Sequence, residues 1–314
     1  MKVLVATDKP FAQIAIDGIR QELDGVDYHL ALLERYTDKQ QLLEAVADAD
    51  AIIVRSDNID EEVIKAGKKL KIIVRAGAGY DNIDLEAATR AGICVMNTPG
   101  QNANAVAELV FGLLVYAVRN FYHGTSGSEL KGKKLGIHAY GNVGKNVARI
   151  ARGFGMELLA YDTYSRAEVI NADGIDPTIS VKTLYRYSDI VSIHIPLTDE
   201  TRLLIGKDLL KNMPEGAILV NTARKEVINE PELLEYMLEN PKFKFLTDIK
   251  PDMHEEFMAK VGNRYFSTPK KMGAQTSEAN VNAGIAAAHQ IVDYLKNGNQ
   301  KYRVNESSSE HRYF

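Results

Sequence analysis

A chain of 314 residues has room for two domains of ordinary size or one large one. Apolar residues make up 45% and charged residues 25%, the balance of a soluble globular protein rather than a disordered or fibrous one. The net charge of −4 excludes bulk attraction for nucleic acid or an anionic membrane, leaving only local basic pockets, and the lone Cys94 excludes an intrachain disulfide or a multi-cysteine metal site.

The opening Met1-Lys2-Val3-Leu4-Val5-Ala6 reads as a strand with no signal peptide ahead of it, which with the single cysteine points to the cytoplasm. Phe11, Ile14, Ala15, Ile19 and Leu23 then fall at helical spacing. Strand runs follow at 51–55, 71–75 and 93–96, and the turn cluster Asn97-Thr98-Pro99-Gly100-Gln101 closes that series. Residues 102–122 are apolar nearly all round and are expected to be buried at a subunit interface. Their longest apolar run, bounded by Glu108 and Arg119, is too short to span a bilayer.

A second strand series falls at 134–138, 157–161, 190–195, 217–221 and 245–248, placing His138 and His194 in central strands as core residues. A last helix over 279–295 carries Ile285, Ala288, Val292 and Leu295 on one face and is expected to return to the N-terminal domain. The polar tail from Asn305 is expected to fray. Strands alternating with helices predict an α/β protein of two Rossmann-like, doubly wound parallel-sheet domains. Residues 1–98 with 283–314 form a substrate-binding domain, and 99–282 form the cofactor domain.

Lys134-Leu135-Gly136-Ile137-His138-Ala139-Tyr140-Gly141-Asn142-Val143-Gly144 is a strand entering a glycine turn and a helix. Gly141 lets the backbone approach a pyrophosphate, Gly144 permits close helix-on-strand packing, and the helix N-terminus offers free N–H groups. Ala139 stands where the first glycine of G-x-G-x-x-G is usual. The next strand ends in Asp162, which can accept from adenosine ribose hydroxyls and would repel a 2′-phosphate, so the cofactor reads as NAD and not NADP.

Four further stretches carry a resemblance: Val74-Arg75-Ala76-Gly77-Ala78-Gly79-Tyr80-Asp81-Asn82-Ile83-Asp84, Asn97-Thr98-Pro99-Gly100, Ile195-Pro196-Leu197-Thr198-Asp199-Glu200-Thr201-Arg202 and Asn221-Thr222-Ala223-Arg224. With the cofactor loop they resemble the D-2-hydroxyacid dehydrogenases. The Arg55-Ser56 pair and Arg75 look most like the short D-3-phosphoglycerate dehydrogenases. The resemblance implies an active site in the cleft between two Rossmann-like domains, a homodimer, and NAD contacts from Asn142, Val143, Pro196, Thr201, Thr222, Ala223 and Asp248 besides the glycines and Asp162. Long members carry a C-terminal regulatory domain, for which this chain is too short.

Hydride transfer from a secondary alcohol needs a cation on the carboxylate and carbonyl, a base for the hydroxyl proton, and an oriented nicotinamide. Arg224 ends a strand and falls on the family's catalytic arginine; its planar fork suits a carboxylate. The family's acid/base histidine is missing. In Thr268-Pro269-Lys270-Lys271-Met272-Gly273-Ala274, counting back from Gly273 puts Lys271 at its place, and counting forward from Thr268 puts Lys270 there. The family's supporting glutamate falls on Met253. A carboxylate would raise the pKa of a lysine that already starts near ~10.4, so the two departures are consistent with one another. Such a lysine needs desolvation or neighbouring cations to lower its pKa. The arrangement resembles a lysine-type variant of the short phosphoglycerate dehydrogenases. His254 is a rival base, ranked below both lysines. The Asp/His/Glu cluster at 252–256 reads as a solvated loop, not a metal site.

Arg55 and Arg75 end strands of the N-terminal domain, and the resemblance assigns them to a substrate phosphate, beside Ser56. Ala76-Gly77-Ala78-Gly79 can turn N–H groups toward a carboxylate, and Asn102 falls on a family asparagine near the substrate. The expected activity is oxidation of 3-phosphoglycerate on the way to serine. The alternatives are a hydroxypyruvate or glyoxylate reductase, and a catalytically silent NAD-binding interaction protein.

Overall fold

The computed structural model describes residues 1–305, which divide into two compact units, 1–102 with the C-terminal segment from Thr276, and 103–275. Residues 99–102 and 276–282 therefore group with the N-terminal sheet.

The first unit holds five parallel strands, β1 (Lys2–Thr7), β2 (His29–Glu34), β3 (Ala51–Val54), β4 (Ile72–Arg75) and β5 (Cys94–Asn97), in the order β2-β1-β3-β4-β5. Four helices connect them: α1 (Gln13–Asp24), α2 (Lys39–Val46), α3 (Glu61–Ala66) and α4 (Leu85–Arg90). β3 is wholly buried because its sheet is covered on both faces, which is why it reads as an uninterrupted apolar run. Ile52 and Val54 pack toward Leu42, Val63 and Ala88 of α2, α3 and α4, while Ile53 packs on the opposite side with Ile16 and Ile19 of α1. Asp38, Asp60 and Asp84 cap α2, α3 and α4 through their side chains, satisfying N–H groups that the helices leave open.

The second unit begins with α5 (Ala103–Val118), then β6 (Lys134–His138), α6 (Asn142–Gly153), β7 (Glu157–Tyr161), α7 (Ala167–Ala172), β8 (Asp176–Pro177), α8 (Val181–Tyr187) and β9 (Ile190–Ile193). It continues through α9 (Lys207–Leu210), β10 (Ile218–Asn221), α10 (Glu230–Glu239), β11 (Lys244–Thr247), α11 (His254–Val261) and β12 (Tyr265–Ser267). All seven strands are parallel, in the order β12-β11-β10-β9-β6-β7-β8. The order reverses between β6 and β9, the place where doubly wound sheets bind dinucleotides. α5 is buried along most of its length against α6 and β11, as its apolar circumference requires.

The chain then rejoins the first unit as α12 (Ser277–Asn297), whose Ala283, Ala287, Ala288 and Ile291 pack against α1. The Thr276 side chain caps its start, and Gly298 ends it in the left-handed conformation.

Three expectations need correction. β2, β8 and β12 were not expected: β2 has no fully buried residue, and β8 and β12 are only two and three residues long. Asn305 is not frayed. It is 3% exposed, accepts from Val95 N and donates to Thr89 Oγ1 and the Ile93 carbonyl; the rest of the tail lies outside the described residues. The segment around His254 is not a loop but the start of α11. Among the described residues no helix is long and apolar enough to cross a membrane.

Candidate active site

Three neighbouring parallel strands deliver chemistry at their carboxyl ends. Just beyond β10, the Asn221 side chain accepts from Ala223 N and donates to the Arg224 carbonyl, both at 2.9 Å, closing a tight turn that sets the Arg224 backbone. Arg224 Nη1 donates to the Ala223 carbonyl at 2.9 Å, and Lys271 Nζ donates to the same oxygen at 3.4 Å. A guanidinium and an ammonium are thus held within two hydrogen-bond lengths of each other.

The loop carrying Lys271 is tied down from β11 and β12. The Thr268 hydroxyl lies within hydrogen-bond reach of the Asp248 and Lys270 carbonyls, at 2.9 and 2.7 Å, and Gly273 N donates to Asp248 Oδ2 at 2.7 Å. A side chain at 273 would meet that carboxylate at 2.8 Å, so the approach needs glycine. Both lysines are exposed to solvent, and the desolvation expected to lower the lysine is not provided in this structure. Of the two, Lys271 shares the Ala223 carbonyl with Arg224, while the Lys270 side chain makes no hydrogen bond or ion pair among the described residues.

His254 is engaged elsewhere. Its Nδ1 lies 2.8 Å from the Tyr265 hydroxyl. Met253 N and Asp252 N both donate to the buried carboxylate of Glu230, and Asp252 pairs with Lys225. Among the described residues no group of three or more His, Cys, Asp or Glu could hold a metal ion. His138 is 3% exposed and pushed down to about 4 by burial, with Asp162 pulling against it, which keeps it neutral in the core. His194 follows β9, hydrogen-bonded to Ser192.

The turn after β6 fits NAD. Gly141 begins α6 without any side-chain cap, and a Cβ there would meet nothing within 4 Å, so room and free N–H groups coincide. Gly144 has no such room: a Cβ would lie 2.4 Å from the Ala139 carbonyl. Asp162 is partly spent on the protein. Its Oδ1 accepts from Tyr164 N and Ser165 N, and its Oδ2 from Tyr140 N, leaving Oδ2 able to take one ribose hydroxyl. The Thr201 hydroxyl donates to the Pro196 carbonyl at 2.6 Å and shapes that loop. Thr222 Oγ1 and Asp248 Oδ1 are buried without a hydrogen-bond partner among the described residues, acceptors suited to a carboxamide or hydroxyl donor. Burial pushes the Asp248 carboxyl up, opposed by the Gly273 N–H and the Lys271 charge.

Ala139 holds φ 81°, the left-handed conformation that explains why glycine is usual there. Ala139→Gly should therefore stabilise the protein by about 0.5–1 kcal/mol, the relieved strain exceeding the entropy glycine adds to the unfolded chain. Denaturant midpoints of the two proteins check this; an unchanged or lower midpoint contradicts it.

On the first unit, Arg55 follows β3 and Arg75 ends β4. Arg55 Nη1 donates to the Lys9 and Pro10 carbonyls at 3.0 and 3.5 Å, Nη2 donates to Asn280 Oδ1 at 2.7 Å, and the guanidinium lies 5.2 Å from the Phe11 ring centre. Among the described residues its Nε–H and one Nη2–H have no hydrogen-bond partner, an edge of the fork open to an anion. Burial pushes this guanidinium down, with Asp57 and Asp8 pulling the other way. Arg75 Nε donates to the Arg55 carbonyl at 3.1 Å, and its Nη1 occupies the space a side chain at Gly77 would need, 1.5 Å from the built Cβ. Gly77 N donates to Thr98 Oγ1 at 2.7 Å, and Asn97 holds the Ala78 carbonyl. Ala76 is buried, Gly79 and Asn102 are half-buried, and Ser56 is exposed.

Several positioning contacts are not apparent from the sequence: Asn221 at Arg224, Asn280 at Arg55, and buried Asp57, which accepts from Asp8 N, Arg55 N and the Tyr36 hydroxyl. Only Asn221 left a signal, an asparagine at a strand end where side-chain turns form.

Comparison with known proteins bears on the fold and the cofactor. Residues 115–259 match the profile of the D-isomer specific 2-hydroxyacid dehydrogenase NAD binding domain. The chain is 37% identical over 277 residues to a D-3-phosphoglycerate dehydrogenase of Methanocaldococcus jannaschii, covering 82% of this chain but only 52% of that one, so it spans about half the relative's length. It is 34% identical over 306 residues to a hydroxypyruvate reductase of Thermotoga maritima, covering 92% of this chain and 95% of that one. The NAD⁺-bound crystal structure of 3-phosphoglycerate dehydrogenase from Entamoeba histolytica matches with a TM-score of 0.86 and 46% identity over 98% of this chain and 99% of that one. With the fold and the NAD binding domain in agreement, the chain belongs to the D-isomer-specific 2-hydroxyacid dehydrogenase family.

Proposed function

We propose that this protein is a cytoplasmic, homodimeric NAD-dependent dehydrogenase that oxidises D-3-phosphoglycerate to 3-phosphohydroxypyruvate, a step toward serine. The observation that carries the reading is the convergence of Arg224 and Lys271 on the Ala223 carbonyl. NAD, when bound, supplies the hydride acceptor. Arg224 holds the substrate carboxylate and polarises the carbonyl oxygen as it forms. Lys271, in its neutral form, takes the hydroxyl proton; the neighbouring guanidinium favours that form by like-charge repulsion, while Asp248 opposes it. Lys270 is the lesser candidate. The pyrophosphate is assigned to Gly141, Asn142, Val143 and Gly144, the ribose to Asp162, and the nicotinamide side to Pro196, Thr201, Thr222, Ala223 and Asp248. Arg55 and Arg75, with Ser56, take the phosphate, and the 76–79 turn with Asn102 the rest of the substrate.

The relative from Thermotoga, matched over nearly its whole length, favours one second reading, a hydroxypyruvate reductase. Relative rates with 3-phosphohydroxypyruvate and hydroxypyruvate separate the two. Arg55→Gln should cost roughly 10- to 100-fold in kcat/KM with the phosphorylated substrate and little with the other. Equal losses on both substrates would remove Arg55 from phosphate recognition. No turnover with either, alongside intact NADH binding, would point to the silent interaction protein.

A further inference from the structure

The strand order of the first unit reverses between β1 and β3. In open α/β sheets the crevice outside the carboxyl ends of two such strands is where ligands bind. The residues at those ends are Asp8-Lys9-Pro10 after β1 and Arg55-Ser56 after β3. They are joined directly: the Lys9 carbonyl accepts from Arg55 Nη1 at 3.0 Å and from the Thr7 hydroxyl at 2.7 Å. Lys9 N donates back to the Thr7 oxygen at 3.2 Å. The Lys9 backbone is thereby fixed beside the guanidinium, while its side chain is exposed and makes no hydrogen bond or ion pair with any described residue.

The charges around Arg55 give such a lysine a purpose. Asp57 and Asp8 both act on the guanidinium, and Asp57 is buried against the backbone of the same loop. Their two negative charges oppose the two positive charges of Arg55 and Arg75, so the arginines alone offer shape and hydrogen bonds with little net attraction for a dianion. A compact, strongly hydrated ammonium on a flexible stem adds field without needing a fixed fork.

We propose that Lys9 is a specificity-determining residue, a third cation at the substrate phosphate whose charge separates phosphorylated from unphosphorylated 2-hydroxy and 2-oxo acids. The inference rests on the reading that the substrate is phosphorylated. Steady-state reduction of 3-phosphohydroxypyruvate and of hydroxypyruvate by wild type, Lys9→Gln, Lys9→Arg and Arg55→Gln tests it. Lys9→Gln raises KM for the phosphorylated substrate about tenfold with kcat retained, leaves hydroxypyruvate unchanged, and is rescued by Lys9→Arg. The difference from wild type shrinks between ~0.01 M and ~1 M salt, because an exposed charge is screened. Unchanged kinetics in Lys9→Gln while Arg55→Gln loses the phosphorylated substrate overturns the role of Lys9 alone, as does an equal loss on both substrates. A wild type indifferent to the phosphate overturns the underlying substrate reading, and this inference with it.

Discussion

Lys271→Ala is expected to lower the rate of hydride transfer by roughly 10²- to 10⁴-fold, the range over which a positioned general acid or base acts. NADH binding should hardly change, because the pyrophosphate and ribose are assigned to the 141–144 turn and Asp162, and Lys271 to the substrate hydroxyl. Lys270→Ala is the control, with a rate close to wild type, since its ammonium makes no hydrogen bond or ion pair among the described residues. Single-turnover kinetics distinguish a chemical defect from slow product release. The pH dependence carries the sign of the argument: a base must be unprotonated, so oxidation rises with pH to a plateau above the lysine pKa, and reduction runs the other way. Lys271→His should retain part of the activity and shift the limb toward the imidazole range near ~6.5. Normal rates in Lys271→Ala, or a loss confined to Lys270→Ala, would end the assignment.

Arg224→Ala should lose roughly 10²- to 10³-fold in kcat/KM, as expected for one donor aimed at developing charge. The fold should survive, because Asn221 grips the backbone of 223–224 and not the guanidinium. Arg224→Lys keeps the charge and loses the fork, so it should recover only part of the deficit. A second effect follows from proximity. Removing the guanidinium removes a like charge beside Lys271, so the rise of residual oxidation with pH should move to higher pH, whereas Arg224→Lys should leave it near wild type. An unchanged limb in Arg224→Ala would mean the two cations do not feel each other.

Much of the architecture was already legible in the residues. Continuous apolar runs such as Ala51-Ile52-Ile53-Val54 can only be buried on both faces, and that burial forces helices to alternate with parallel strands. Gly141, Gly144 and Asp162 are readable because their roles are local, set by backbone approach and by one strand end. β2 was not legible. Its burial alternates irregularly because it lies at a sheet edge, and its partner β1 lies a whole helix away in sequence. Asn305 likewise looked like the start of a polar tail, yet it is clasped by Thr89, Ile93 and Val95.

The sequence by itself determined the α/β class, the dinucleotide turn and the family, because periodicity and turn chemistry are encoded within a few residues of each other. Which of two adjacent lysines approaches Arg224, and what Arg55 leaves open to an anion, was decided only by tertiary structure. Those answers depend on hydrogen bonds that Asp248, Lys9 and Asn280 accept and Thr268 donates, residues that different elements bring together across long stretches of chain.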